Sequence, residues 1–305
     1  MNDKLQKTLF PPLPIEEWEE TKNTVHLYAQ IVGKIRLGLF PKKNHWWHVT
    51  FYVSSRGFTT GPIPYGSMIF EIEFDCIDHV LAMRTSYGSR KSIALNGLSV
   101  SQFYKGLFSS LSELGIDVTI RAVPYDVPSI STEPFETDHQ HAAYDRKYVN
   151  RFWQVLVQVD SIFQEFRGRF IGKCSPSHLF WHHFDLAVTR FSGRPTPARD
   201  GTNPVEREAY SHEVISCGFW AGDDKVREPA FYAYAYPEPE GLSKEPLSPA
   251  EAFYNPDAGM ALLMYNKVRE SQSQKQVLLD FLESFYQAAA KRANWDVKAF
   301  QLPLL

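Results

Sequence analysis

The chain has 305 residues, which is enough for one large domain or two ordinary ones. Its 44% of hydrophobic and 22% of charged residues are ordinary globular values and exclude a disordered or fibrous protein. The formal net charge of −3 comes from acidic and basic residues mixed along the chain, so we expect neither nucleic acid nor a membrane as a partner.

The cysteines and the hydropathy pattern indicate a cellular compartment. Cys76, Cys174 and Cys217 are widely separated and odd in number, which favours a reducing environment over a disulfide framework. The N-terminus has no apolar leader segment, and no run of about 18 apolar residues occurs. We therefore expect a cytoplasmic protein.

The first part of the chain predicts a helix, several short strands and a second helix. An apolar stripe with the helical period covers residues 15–39, and the prolines at its start mark where it begins. Alternating patterns bounded by Gly, Asp and Ser then predict strands. The predicted strands are 46–54, 68–74, 80–85 and 91–95, and a helix over 99–114 follows them.

The second part repeats this order after a segment without periodicity. Residues 123–145 are rich in Pro, Asp, Glu and Ser, which predicts a linker or covering loop. A strongly amphipathic helix follows at 148–166 and a last helix at 276–293, with strands predicted at 180–191, 211–219 and 231–236. The fold class predicted is α+β with antiparallel strands.

The recurrence of this order suggests a tandem duplication of a helix, antiparallel strands, helix unit. One constant spacing relates identical residues in the two parts, with chance matching within two similar units as the alternative. The pairs are Trp18 and Trp153, Gly33 and Gly168, Pro41 and Pro176, Trp46 and Trp181, His48 and His183, and Val53 and Val188. The predicted division is a first repeat at 1–122, a linker at 123–147 and a second repeat at 148–305.

One face of the predicted strands is polar and aromatic in both repeats. Alternate side chains of a strand point to opposite faces, so Trp46 and His48 share a face in the first repeat, as do Trp181, His183 and Asp185 in the second. Such a face is costly to bury unless its polar groups find partners. We expect it to line a ligand pocket, with a solvated or interface face as the alternative.

Several further residues are candidates for this pocket. The tyrosines of strand 231–236 would add a row of rings, and Glu213 a second carboxylate beside Asp185 and His183 for proton transfer. Arg190 and Arg194 are candidates to hold an anionic group. The predicted ligand-binding residues are Trp46, His48, His178, Trp181, Thr189, Arg190, Arg194, Tyr232, Tyr234 and Tyr236.

Metal and nucleotide chemistry find less support. Asp138, His139 and His141 are suitable metal ligands in kind, but they lie in an irregular loop that a solvated surface also explains. The sequence contains no glycine-rich phosphate loop, no nucleophile elbow and no His-Glu-x-x-His motif. We assign no metal site, and the sequence does not identify a cofactor.

Several segments resemble a known protein family. They are Asn44-His45-Trp46-Trp47-His48, Arg169-Phe170-Ile171-Gly172-Lys173, the run from Phe184 to Arg194, Tyr210-Ser211-His212-Glu213-Val214 and the run from Tyr234 to Glu240. Together they resemble a bacterial family that is described only as a domain of unknown function and covers nearly the whole chain. The resemblance implies no activity. His178, Trp181, Asp185, Thr189, Arg190 and Arg194 match its pattern, whereas His182 and His183 depart from it.

The leading hypothesis is a small-molecule-binding protein or enzyme with a polar-aromatic pocket on the sheet face near a pseudo-twofold axis. One alternative is a non-catalytic interaction protein or homodimer that uses this face. Another is a metal-dependent hydrolase that uses the loop of His139 and His141.

Overall fold

The computed structural model describes residues 10–197 and 203–302 and has mixed α+β architecture. The described residues form seven α-helices and two antiparallel sheets of six strands each. The predicted fold class is thereby confirmed.

The first half of the chain forms one sheet and two long helices. The strand order is β1-β2-β4-β5-β6, and β3 pairs with β4. The elements are α1 (Glu19–Leu39), β1 (Tyr52–Val53), β2 (Gly57–Thr59), β3 (Ile63–Tyr65), β4 (Met68–Asp75), β5 (Val80–Thr85), β6 (Arg90–Ala94) and α2 (Val100–Glu113).

The second half forms the other sheet, with the order β11-β12-β10-β9-β8-β7. Its elements are α3 (Arg146–Gly168), β7 (His178–Phe180), β8 (Asp185–Pro195), α4 (Pro204–Ala209), β9 (His212–Trp220), β10 (Ala230–Tyr236), β11 (Phe253–Asn255), β12 (Met260–Met264), α5 (Tyr265–Glu270), α6 (Gln274–Arg292) and α7 (Val297–Phe300).

The two sheets meet edge to edge at one residue pair. Phe51 and Leu179 exchange backbone hydrogen bonds of 2.9 and 3.0 Å, which joins the edge of β1 to the edge of β7. One continuous apolar core contains side chains from both sheets and from α1, α2, α3 and α6. We call the place where the sheets join the seam, and the side of the second sheet away from these helices the open face.

Local sequence explains where the long helices begin. Ser99 and Gln102 form a capping box in which each side chain accepts a hydrogen bond from the other residue's backbone N–H. Asp145 accepts hydrogen bonds from the backbone N–H groups of Lys147 and Tyr148 at the start of α3. The predicted helices 15–39, 99–114, 148–166 and 276–293 are confirmed within a few residues. Residues 123–145 contain no helix and no strand.

Two predicted strands were too long, and both end at turns. His45 and Trp46 have φ values of 54° and 59° and lie in a 3-10 turn, so the strand predicted at 46–54 shrinks to β1. Phe184 has φ 58° and closes a turn over 181–184, which divides the strand predicted at 180–191 into β7 and β8. Because a left-handed residue interrupts the pleat, the alternation of faces does not run from Trp181 to Asp185.

The tandem duplication stays a prediction. The order of helix and antiparallel strands recurs, but Trp18 precedes α1 whereas Trp153 lies inside α3. None of the described helices is long and apolar enough to cross a membrane.

Candidate functional site

The open face of the second sheet carries a small aromatic cluster of its own. Strand register places Ala187, Gly218, Tyr232 and Leu262 side by side across β8, β9, β10 and β12. Three of these form an apolar cluster separate from the main core, with half-buried rings packed around them. The surrounding side chains are Phe180, Trp220, Tyr234 and Met260. This face therefore has apolar walls without a helix above them.

A carboxylate lies beside these rings, at the start of β8 and opposite Phe180. The Tyr232 hydroxyl donates a hydrogen bond to the Asp185 carboxylate, and no Lys or Arg side chain of the described residues forms an ion pair with it. Burial raises the pKa of Asp185, although the hydrogen bond from Tyr232 opposes the shift. Gly218 makes this geometry possible, since a Cβ there would overlap the Tyr232 ring.

Two further polar pairs lie along the same face. The hydroxyls of Thr189 and Ser216 are 2.9 Å apart, and those of Tyr210 and Tyr234 are 3.1 Å apart. The rings of Tyr232 and Tyr234 are nearly parallel, with centroids 6.2 Å apart. Burial raises the pKa of both tyrosines well above the ordinary value, so both hydroxyls stay protonated and can donate hydrogen bonds at neutral pH.

A helix and a turn form a rim at one end of this face. Tyr210 directly follows α4, and α4 packs against the 3-10 turn Asn44–Trp46. Lys42 and Glu208 form an ion pair of 2.8 Å across this contact. The His45 ring lies 4.7 Å from the ring of Phe191, next to the end of the face. The rim gives the open face a bounded, sheltered end.

The structure brings several predicted ligand-binding residues together on this face. Asp185 and Thr189 project from β8, and Tyr232 and Tyr234 from β10. His178 pairs with Ala187 in the ladder and points to the same side of the sheet, but Trp47 and Tyr52 pack against its ring there and His178 is buried. Tyr236 lies at its end, with its ring 4.9 Å from that of Tyr210.

Comparison with known proteins gives a family but no activity. A family described as a family of unknown function, DUF5996, matches residues 10–302. The chain belongs to this family. Among curated proteins and among solved structures, no significant match exists. The activity of this DUF5996 protein therefore has to be argued from its own side chains.

Glu213 does not share a site with Asp185 in the DUF5996 chain, which corrects the prediction of a common catalytic pair. Alternation along β9 places Glu213 on the core face, and Asp185 lies opposite the other end of that strand, about 20 Å away. The Glu213 carboxylate instead accepts hydrogen bonds from Ser192, Arg194 and Trp295, at 2.8, 2.9 and 2.9 Å. Glu213 and Arg194 thus join β8 and β9 to the end of α6.

Arg190 also lies on the core face. Its guanidinium stacks on Phe166 at 3.4 Å and approaches Tyr286 at 4.3 Å. It donates a hydrogen bond to the Phe166 carbonyl, and its Nη1 lies 3.5 Å from Glu283. Because residues 186, 188 and 190 share one face of β8, Arg190 is a core residue and not part of the open face.

The other predicted site residues lie in or next to the turns that interrupt the predicted strands 46–54 and 180–191. Trp181 is buried against α1 on the far side of the sheet, where its ring covers Gly33. His183 is exposed and pairs with Asp126 at 3.1 Å. His48 is buried beside Trp46, with ring centroids 5.2 Å apart. The prediction had connected Trp181 and His183 to Asp185 through alternation along one continuous strand, and the turn over 181–184 removes that connection.

The loop of His139 and His141 has a structural explanation. The buried Asp138 accepts hydrogen bonds from the backbone N–H groups of Gln140 and His141 at 3.1 Å, and the His141 ring lies 2.8 Å from its other oxygen. Within residues 10–197 and 203–302, no group of three or more His, Cys, Asp or Glu side chains is arranged to hold a metal ion. This loop folds around its own aspartate.

Two depressions lie near the end of α6. A shallow groove of 770 Å³ includes Ser284, Lys291 and Trp295 in its walls, and a cavity of 160 Å³ includes Glu213, Tyr236 and Trp295. Hydrogen bonds within the chain already occupy several of their polar groups, among them Ser284, Glu245 and Glu213. We therefore place the candidate site on the open face.

Sequence reasoning missed four residues of the site. Tyr210, Ser216, Gly218 and Trp220 were not singled out, although a strand was predicted over 211–219. The alternation of that strand places 216, 218 and 220 on one face and 213 on the other. The alternation of Ser216, Gly218 and Trp220 is the sequence signal that indicates this face.

Proposed function

We propose that the open face binds a small organic cation, such as a protonated amine with an apolar body. The single observation that carries the proposal is the Asp185 carboxylate, held among aromatic rings with a tyrosine hydroxyl as its hydrogen-bond donor. An unpaired carboxylate in such surroundings is costly, and an ammonium group would offset that cost.

The rings around Asp185 suit the same ligand. The ring centroids of Trp220 and Tyr232 are 5.5 Å apart, and Phe180 lies opposite Asp185 in the strand register. The negative faces of aromatic rings attract cations, by about 0.5–2 kcal/mol depending on exposure. A carboxylate and several rings in one place therefore favour a cation over a neutral or anionic molecule.

The hydroxyl pairs would select the rest of the ligand. Thr189 with Ser216, and Tyr210 with Tyr234, can each donate or accept hydrogen bonds at the sheltered end of the face. We assign binding to this face and no catalytic step. The three cysteines form no disulfide, which fits a reducing, cytoplasmic setting for that binding.

The experiment compares a cation with its neutral counterpart. Isothermal titration with phenethylammonium and with 2-phenylethanol should show binding of the amine, a weaker signal for the alcohol, and loss of amine binding in Asp185→Asn. Asp280→Asn is the matched control, because Asp280 lies on α6 on the other side of the sheet and bonds to Gln276. Equal binding of amine and alcohol, or equal affinity in both variants, contradicts the proposal.

A further inference from the structure

A second group of unusual polar side chains lies at the seam. The register of the Phe51–Leu179 pair places Tyr52 opposite His178, and their ring centroids are 5.6 Å apart. Arg36 from the last turns of α1 reaches this place, with its guanidinium carbon 5.7 Å from the Tyr52 ring. The seam therefore brings together a cation, a phenol and an imidazole from three separate segments.

Arg36 is a buried cation without a buried anion. It is 2% exposed, its guanidinium stacks on Phe40 at 4.1 Å, and it donates a hydrogen bond to the carbonyl of Thr60. Its Nε has no hydrogen-bond partner, and no Asp or Glu of the described residues forms an ion pair with it. Stacking, one carbonyl and a hydrogen bond with the Tyr52 side chain only partly replace the water that such a charge loses.

His178 adds two unsatisfied nitrogen atoms. The side chain is 1% exposed, and neither Nδ1 nor Nε2 has a hydrogen-bond partner within the described ranges. Burial, with the nearby charges of Arg36, Arg167 and Lys43, lowers the pKa of His178 to about 3. At neutral pH the ring is uncharged, so one nitrogen is an N–H donor without an acceptor.

Lys43 is a second cation at the same place. Its Nζ lies 4.9 Å from the centre of the Phe40 ring, on which Arg36 also stacks. The neighbouring Lys42 differs, because it forms the ion pair with Glu208. Glu208, the carboxylate that contacts this segment, is thus already paired with Lys42.

We propose that the seam binds an oxyanion, a carboxylate or phosphate group of a small molecule, through Arg36, His178 and Lys43. The anion would accept hydrogen bonds from Arg36 Nε and from the His178 N–H, and Lys43 would close the site from the solvent side. Charge-assisted hydrogen bonds of this kind are the stronger ones in proteins. The proposal does not depend on the binding of a cation to the open face.

A comparison with Arg190 separates this site from an ordinary buried arginine. Arg190 is similarly buried, stacks on Phe166 and also has an Nε without a hydrogen-bond partner, but Glu283 lies 3.5 Å from its Nη1. The core of the same chain thus supplies a carboxylate where a buried arginine has a structural role. Arg36 lacks one and has an unsatisfied imidazole within reach of its charge.

The test measures the thermal unfolding midpoint against the concentration of inorganic phosphate and, separately, acetate, with chloride at equal ionic strength as reference. A ligand at free concentration c that binds only the folded state stabilises it by RT ln(1 + c/Kd), so the midpoint rises with the logarithm of the ligand concentration once that concentration exceeds Kd. We expect at least one of the two anions to raise it in the native chain, and the tighter of them identifies the anionic group. Arg36→Gln should abolish the rise, whereas Arg190→Gln should keep it at a lower starting midpoint.

A pair of exposed lysines keeps the test decisive if Arg36→Gln does not fold. Lys43→Gln should weaken the apparent affinity about tenfold, as loss of one charge-assisted contact does. Lys42→Gln should leave it unchanged. Equal responses of these two variants, or no rise of the unfolding midpoint with either anion in the native chain, would overturn the proposal.

Discussion

Gly33 lies directly against the indole of Trp181, so that a Cβ at this position would overlap the Cδ1 and Cγ atoms of the ring. Trp181 belongs to the turn that ends β7, and the contact fixes this turn to α1. We expect Gly33→Ala to destabilise the protein by about 2 kcal/mol or more, because overpacking a rigid contact outweighs the gain of about 1 kcal/mol in helix propensity. Chemical denaturation measures this change.

Gly38 in the same helix provides the control. A Cβ there meets no atom within 4 Å, so Gly38→Ala should be neutral or stabilise by up to about 1 kcal/mol. The same sign for both variants would show that the contact between α1 and the turn is not as tight as described.

A second prediction concerns the hydroxyl of Tyr232. Tyr232→Phe removes the hydrogen bond to Asp185 and should cost about 1–3 kcal/mol of unfolding free energy. It should also raise the pKa of Asp185 further, since that bond lowers it, and a proton titration followed by NMR would record the shift. Tyr286→Phe is the control, because the buried Tyr286 hydroxyl has no hydrogen-bond partner in the described structure. A loss of equal size in both variants would contradict the assigned bond.

The long elements were predictable because their periodicity is local. The amphipathic stripe of α3 and the alternation of β4 need no knowledge of the rest of the chain. The tight turns were not predictable, because left-handed backbone at Trp46 and Phe184 follows no residue preference and depends on tertiary packing.

The missed turns also caused errors in the predicted set of site residues. Asp185, Thr189 and Tyr232 were found on one face because their own strands alternate regularly. Trp181 and His183 were joined to them only through the strand that the turn interrupts. The seam was not predictable either, because the pairing of Phe51 with Leu179 connects strands that lie far apart in the sequence.

The third prediction gives Glu213 a structural role. Glu213→Gln weakens three hydrogen bonds, including the one from Arg194, whose guanidinium also donates to the carbonyl of Ala293 at the end of α6. We expect a loss of about 1–3 kcal/mol of stability, as for other hydrogen-bonded charge pairs, with amine binding unchanged. Glu240→Gln, at an exposed carboxylate, should stay within about 0.5 kcal/mol. Loss of amine binding with stability intact would restore Glu213 to the site.

Acid should destabilise the protein through buried histidines. Burial lowers the pKa of His26 from 6.5 to about 3, and the pKa of His178 and His182 likewise falls to about 3. Between pH 3 and 6.5 the unfolded chain binds protons that the folded chain does not. Stability is therefore complete above pH 6.5 and falls as the pH drops below it, by at most about 1.4 kcal/mol per pH unit for each histidine.

A variant isolates one of these contributions. The His26 ring bonds to the carbonyls of Trp181 and His182 at 3.0 and 3.1 Å, and a glutamine can keep a donor there. In His26→Gln the urea midpoint should depend less steeply on pH between pH 6.5 and 4, because one of the three histidines that cause this dependence is removed. The exposed His139, changed to Gln, should leave the dependence as it is. An unchanged slope in His26→Gln would mean that this ring is protonated in the folded state.

The last prediction separates ligand binding from self-association on the open face. A stable interface buries about 1,200–2,000 Å² in total, whereas Tyr232, Ala187 and Leu262 are already 9%, 4% and 2% exposed within one chain. Little apolar area is thus left for a second copy, and Trp220 is one of the half-buried rings around these residues. We expect Trp220→Ala to weaken amine binding and to leave the sedimentation coefficient unchanged. Trp181→Ala is not a suitable variant for this test, because the Trp181 ring packs on Gly33 and not on the open face. A fall in the sedimentation coefficient of Trp220→Ala with amine binding intact would instead assign the open face to a homodimer.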